Sequence, residues 1–443
     1  RPFWRPNTQD KMKDLLTTFM SGGMIQLINI VTGIVAARLL LPEGRGELAI
    51  LLLWPVLIAE LGSFSLSASS GFHMARKQHT PQEIWAGTFM FITFLFPVLI
   101  GVFLLLTPVI YAGQRSEVML LAYLCSALIP AYLYGLSLMS LFQGAQKFGP
   151  YNLLRSLVHF SYLGFVLLLL TFEPPSLSTF VNSYIAGHIL LLAVTLWLSW
   201  KQGWVSIKPN FDVIRSLFLY GLRTHAGVAL AVANRRLDQV IISVALAATD
   251  FGFYVVAMAI ETPLFFAATT IQILLFPKIA AQSSEAGRQQ VLGRYFRAAL
   301  IIVIPATIVF LIMAPWLIKI AFGAAYLPAT DAARILALSS LGFTLKTMLT
   351  TYMRASNRMQ VVTMSEGAGI VVTVVALAVL LPTLGLLGAA IAQVLAFTIP
   401  ALLMAFLIRR STGLSLAGLF RFEKRDWQVF GELTARFRRS GKR

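Results

Sequence analysis

The chain has 443 residues, of which 58% are hydrophobic and 12% charged, with a mean hydropathy of +0.78. A soluble domain carries about a quarter of its residues charged, so a cytosolic enzyme of two to four domains with charged linkers is excluded and a polytopic membrane protein is indicated. The formal net charge is nevertheless +18, from 36 Lys and Arg against 18 Asp and Glu. Membrane topology, nucleic-acid or lipid-headgroup binding, and an internal cationic site are the three explanations to separate.

The sequence opens on Arg1, so an initiator Met or short leader is expected upstream. Residues 1–14 read as a cytoplasmic tail, and the apolar segment after them is too long for a cleavable signal, so it is expected to stay as the first span. A helix crossing about 30 Å of hydrocarbon needs roughly 20 apolar residues. By that measure twelve spans are predicted: 15–40, 47–72, 84–110, 118–144, 150–171, 177–200, 216–247, 251–277, 296–322, 331–353, 361–381 and 384–408. The connections are short and carry turn signals, such as Pro42-Glu43-Gly44-Arg45-Gly46 and Glu173-Pro174-Pro175. The organisation expected is an N-terminal six-helix lobe over 1–200, a C-terminal six-helix lobe over 201–410, and a tail over 411–443. One cysteine, Cys125, leaves no disulfide framework, and no glycosylation sequon occurs. A bacterial cell inner membrane is the expected location.

Basic residues set the orientation. With the N-terminus in the cytoplasm, 27 of the 36 fall on the cytoplasmic side, five on the opposite side and four inside spans. Both termini are therefore expected in the cytoplasm, and most of the positive excess is topological. In the tail, Trp427, Phe430, Leu433 and Phe437 recur at steps of three and four with Arg436, Arg438 and Arg439 among them. This pattern predicts an amphipathic helix on the anionic headgroups of the inner leaflet. No nucleic-acid partner is expected, because no recognition fold accompanies the charge.

The halves look related. Thr18, Gly22, Gln26, Asn29 and Gly33 form a small and polar stripe in the first span, and Arg223, Gly227, Ala231, Asn234 and Asp238 repeat it in the seventh at an offset of 205. Phe142-Gln143-Gly144-Ala145-Gln146-Lys147 and Met353-Arg354-Ala355-Ser356-Asn357-Arg358 leave the fourth and tenth spans as an amide followed by a base. Such stripes must face another helix or a water-filled cavity. The glycines suit helix packing; Gln26, Asn29 and Asn234 suit the lining of a cleft.

These features carry a resemblance. Ala37-Arg38-Leu39-Leu40-Leu41-Pro42-Glu43-Gly44-Arg45-Gly46-Glu47-Leu48 resembles the first external turn of bacterial oligosaccharide flippases. So do Asn234-Arg235-Arg236-Leu237-Asp238-Gln239, Asp250-Phe251-Gly252-Phe253-Tyr254 and Phe276-Pro277-Lys278-Ile279-Ala280. The chain is similar to the polysaccharide flippases (Wzx-like) of the multidrug/oligosaccharidyl-lipid/polysaccharide exporter superfamily over nearly its whole length. The resemblance implies an all-α membrane protein of two pseudo-symmetric six-helix lobes in a V. It implies alternating access that moves undecaprenyl-pyrophosphate-linked sugar units for a surface polysaccharide from the cytoplasmic to the periplasmic leaflet. The polymerase and chain-length regulator of the same pathway are the partners it suggests. Some relatives pump drugs against Na+ or H+ with an acidic residue in the first helix. None stands here, which counts against a multidrug antiporter of the same fold. A lipid II flippase would be expected to add two C-terminal helices and basic residues in helix one.

Among the ionisable residues inside spans eight stand out: Glu60, Arg223, Arg235, Arg236, Asp238, Glu261, Lys346 and Glu366. Each costs roughly 2.5–3.5 kcal/mol at a helix centre, so their presence needs a reason. The nine residues from Val240 to Ala248 span about 14 Å, which puts Arg235, Arg236 and Asp238 near the midplane. Arg235 and Asp238, at i and i+3, can pair on one helix face. Arg236 points away from them, and Arg223 shares the stripe with Asp238. The planar, five-donor fork of Arg suits a pyrophosphate. Arg223, Arg236 and Lys346, with Arg235, are thus the candidates for an anionic headgroup, unless Lys346 merely snorkels. No phosphate-binding loop is present, so coupling would use an ion gradient, H+ or Na+, through Asp238, Glu261 or Glu60. Glu366 is placed at the cytoplasmic rim. Five scattered histidines give no metal-ligand spacing, no nucleophile elbow occurs, and no enzymatic activity or cofactor is expected.

Overall fold

The computed structural model describes residues 8–414 and 419–421, and every described element is helical. The amphipathic helix expected around Trp427–Phe437 lies outside the described residues. In chain order the helices are α1 Thr8–Gly62, α2 Leu66–Arg76, α3 Pro81–Ile110, α4 Ser116–Cys125, α5 Leu128–Gly144 and α6 Phe148–Leu169. They continue as α7 Leu177–Lys201, α8 Phe211–Ala245, α9 Ala248–Ala280, α10 Glu285–Ala321, α11 Thr330–Ala355 and α12 Met359–Thr412. A short 3-10 segment, Ala324–Ala329, leads into α11.

Among the described residues ten helical stretches are long and apolar enough to cross a membrane. Two of them turn sharply within, and this resolves twelve spans. In α1 the backbone leaves the helix at Leu41 (φ 58°, ψ 177°), beside Pro42. The proline ring bars its predecessor from the α region, and the missing N–H removes a helix bond. In α12 the break is Gly385 (φ 52°, ψ −127°), a conformation open to a residue without Cβ. Both breaks fall where the sequence placed a turn between spans.

Two expected spans are interrupted. The segment 47–72 stops at Gly62 and resumes as α2, because Phe64 and Ser65 take positive φ (49° and 55°). Ser63 Oγ donates to Glu60 O at 2.9 Å and Leu66 N to Ser63 O at 3.0 Å, so the turn satisfies freed backbone groups. The segment 118–144 is divided between α4 and α5. Pro130 has no N–H to give Ser126 O, which accepts instead from Ile129 N at 3.1 Å.

The chain forms two compact units, residues 1–232 and 233–443. The division lies inside α8 rather than in the connection near residue 201. The first part of α8 packs within unit one: Ser69 Oγ donates to Leu217 O at 2.8 Å, and the Phe64 and Phe218 rings meet edge-on at 5.9 Å. From Asn234 onward the helix bonds to residues of unit two. In unit one α2 packs on α5, α6 on α7 and α1 on α6; in unit two α11 packs on α9, α10 and α12. Just before α4, Arg115 forks onto buried Glu47 of α1, with Nε to Oε1 at 3.0 Å and Nη2 to Oε2 at 2.6 Å. That carboxylate holds the Arg115 guanidinium above its ordinary range.

Candidate functional site

Unit two contains a continuous chain of polar side chains in its interior. Tyr254 of α9 is fully buried, and its hydroxyl lies 2.8 Å from Asp238 Oδ2 of α8 and 2.6 Å from Gln393 Oε1 of α12. Gln393 Nε2 donates to the Glu261 carboxylate of α9, at 3.1 Å to Oε2 and 3.4 Å to Oε1. Ser339 of α11 donates to the same carboxylate. Glu261 and Ser339 are buried, with 1% and 0% exposure, and so is Gln393. Five side chains from four helices thus link two carboxylates. The arrangement arises from apolar helices whose few polar side chains have only each other as partners, since an unmet polar group in hydrocarbon costs several kcal/mol.

A second cluster lies on α8, α11 and the first segment of α12. Lys346 Nζ meets Glu366 Oε2 at 3.0 Å and stands 5.8 Å from the Phe397 ring centroid. Asn234 Nδ2 donates to Glu366 O at 3.1 Å. Gly369 permits this approach, because a Cβ there would lie 2.9 Å from Asn234 Oδ1 and 3.8 Å from Lys346 Nζ. Lys346 is therefore a buried cation paired with Glu366. Glu366, placed by sequence at the rim, is its counter-ion.

The basic residues of α8 differ in setting. Arg223 and Arg235 are exposed. Arg236 is half-buried, and its Nη1 reaches Gln239 Oε1 at 3.4 Å. Asp238, expected to pair along its own helix with Arg235, has a hydrogen bond from Tyr254 of the neighbouring helix.

In unit one the stripe of the first span meets a polar face of α6. Asn152 Nδ2 donates to Thr18 Oγ1 at 3.0 Å, and His159 Nδ1 lies 2.8 Å from Asn29 Oδ1. Between them the Arg155 guanidinium passes Gly22, where an added Cβ would meet Nη2 at 3.3 Å. Gln26 is half-buried, Asn29 is exposed, and Glu60 is half-buried at the end of α1. Among the described residues no three His, Cys, Asp or Glu side chains gather into a metal site.

Reading by sequence alone missed Tyr254, Gln393, Ser339, Asn152 and His159. An amide such as Gln393 in the middle of an apolar last span is the signal that would have found one of them; a hydroxyl carries no such signal, since Ser and Tyr are common in spans.

The sequence profile described as "Polysaccharide biosynthesis protein" matches residues 35–331. The chain belongs to this polysaccharide biosynthesis protein family. A curated relative is the "Probable low-salt glycan biosynthesis flippase Agl15" of Haloferax volcanii, 23% identical over 224 residues. That match covers 49% of this chain and 48% of the relative, so this polysaccharide biosynthesis protein spans about half the length of the relative it matches. Among solved structures it is similar to the lipid II flippase MurJ in an inward closed conformation, with a TM-score of 0.75 and 12% identity, covering 97% of this chain and 100% of that one. It is also similar to an inward-facing multidrug resistance MATE transporter of the MOP superfamily, with a TM-score of 0.73 and 12% identity, over 88% and 94% of the two chains. At these identities the likeness establishes the fold, a polytopic all-α membrane architecture shared by the exporter superfamily.

Proposed function

We propose that this protein is a flippase that carries undecaprenyl-pyrophosphate-linked oligosaccharide repeat units of a surface polysaccharide from the cytoplasmic to the periplasmic leaflet of a bacterial inner membrane. The observation that carries the reading is the polysaccharide biosynthesis family match across residues 35–331 on an exporter fold. Exposed Arg223 and Arg235 with half-buried Arg236 supply the cations for the pyrophosphate, since the guanidinium fork fits paired phosphate oxygens. Lys346 would join them only by giving up Glu366. Gln26, Asn29 and Asn234 offer hydrogen bonds to sugar hydroxyls. Movement against a gradient draws on an ion, H+ or Na+, taken up at Asp238, Glu261 or Glu60. The polymerase and chain-length regulator of the pathway would receive the product.

Deletion of the encoding gene, followed by extraction of lipid-linked sugars, tests the reading. Surface polysaccharide should fall and the lipid-linked unit should build up on the cytoplasmic face. Normal polysaccharide without build-up sinks the proposal, and a change in drug sensitivity alone would favour a small-molecule antiporter. Arg236→Ala and Arg223→Ala should each reduce export at least tenfold at unchanged protein abundance; wild-type export by both would assign these arginines to structure.

A further inference from the structure

The chain Asp238–Tyr254–Gln393–Glu261 does not close on hydrogen bonds unless it holds an extra proton. A tyrosine hydroxyl has one hydrogen to donate. Here two acceptor oxygens lie within reach of it, Asp238 Oδ2 at 2.8 Å and Gln393 Oε1 at 2.6 Å. With both carboxylates ionised, the hydroxyl serves one of them and its lone pairs face the other. Turning over the Gln393 amide does not help. It lets Nε2 donate to the tyrosine oxygen, but it then sets Oε1 against the Glu261 carboxylate. Every fully ionised arrangement leaves one pair of oxygens in contact without a hydrogen between them, in a site where Tyr254, Gln393 and Glu261 are buried and Asp238 is half-buried, so that water relieves little of that cost.

One proton removes the conflict, in two ways. If Asp238 carries it, Asp238 donates to Tyr254, Tyr254 to Gln393 Oε1, and Gln393 Nε2 to ionised Glu261. If Glu261 carries it, Glu261 donates to the turned amide oxygen, the amide nitrogen donates to Tyr254, and Tyr254 donates to ionised Asp238. Ser339 remains a donor to the second Glu261 oxygen in both. The 2.8 and 2.6 Å separations at Tyr254 are those of O–H···O bonds and the 3.1 Å contact of Gln393 with Glu261 is that of an N–H···O bond, which is the first arrangement. A metal ion in line between two oxygens would hold them about 4 Å or more apart, so the space between the Tyr254 and Gln393 oxygens, 2.6 Å apart, takes a hydrogen. Of the charged groups of the second unit, Arg236 acts on Asp238 from its own helix, Arg235 stands exposed three residues before Asp238, and Lys346 is paired with Glu366.

We propose that these residues form a binding site for a single proton, shared between Asp238 and Glu261, with Tyr254 and Gln393 as the groups that make the two carboxylates one site. The proposal rests on the ion-coupling reading above and names its ion: the second lobe takes up H+. Each carboxylate then has an isosteric mimic of its protonated form, because an amide donates where the carboxylic acid would.

Infrared spectroscopy of the purified full chain in lipid nanodiscs at neutral pH tests this without any transport assay, so it stands or falls apart from the flippase reading. Wild-type protein should show a protonated-carboxyl band, and Asp238→Asn and Glu261→Gln should each, singly, lose one carboxyl's share of it. Both variants should fold, judged by gel filtration, since each satisfies the chain without a proton. Absence of the band from wild-type protein overturns the proposal before any variant is made. Loss in only one variant overturns the sharing, and disappearance of the wild-type band on addition of sodium overturns the assignment to H+.

Discussion

Lys346 shows at the level of one residue how burial decides a role. Its side chain is 11% exposed and that of Glu366 22%, so the pair is held largely away from water. Two charges so placed gain little net stability together, but either alone would be an uncompensated buried charge. Glu366→Gln should therefore destabilise the protein by about 3 kcal/mol. Adding Lys346→Met in that background should restore most of the loss, read as the melting temperature in detergent. Additive losses in the double variant would show that the two side chains do not act as a pair. The presence of both residues was legible in the sequence; their partnership was not, because they sit on separate helices and nothing in local spacing links them.

At the level of elements, close approach of helices is governed by single small residues. Gly144 at the end of α5 sits against α2, where an added Cβ would run into Gly71 O and lie 2.9 Å from Met74 Cβ. Gly164, in the interior of α6, has nothing within 4 Å of that position. Gly144→Val should lower stability by about 1–3 kcal/mol through overpacking. Gly164→Ala should leave the melting temperature unchanged or raise it, because alanine is the better helix former by up to about 1 kcal/mol. Thermal unfolding of the two variants side by side checks this, and equal destabilisation would contradict the packing assigned to α2 and α5. The turns at Leu41 and Gly385 were legible beforehand, since proline and glycine act through the local backbone. The break at Phe64 and Ser65 was not, because no proline or glycine stands at either position and tertiary packing holds them at positive φ.

For the whole molecule, orientation follows from where the basic residues lie. Twenty-seven on one side against five on the other predict that the connection between α3 and α4 lies outside and that between α7 and α8 inside. In a Cys125→Ala background, Ala112→Cys should react with a membrane-impermeant maleimide in intact cells. Lys208→Cys should react only after the membrane is opened. Reversal of the two patterns would invert the topology.

Composition and hydropathy alone determined the membrane class and the twelve spans, because bilayer thickness acts on the chain locally and additively; two lobes were expected from the repeat and the resemblance, and sidedness from the charge asymmetry. The tertiary structure decided which buried polar groups are partners. It placed Tyr254 and Gln393 between Asp238 and Glu261, gave Lys346 to Glu366, and set Asn152 and His159 against the stripe of the first span. The physical reason is that a polar group in an apolar interior must find a partner, and which partner it finds depends on how distant helices are rotated and staggered. The +18 charge is expected to mark mostly sidedness; the chemistry proposed for the second lobe lies in a few groups that this charge does not reveal.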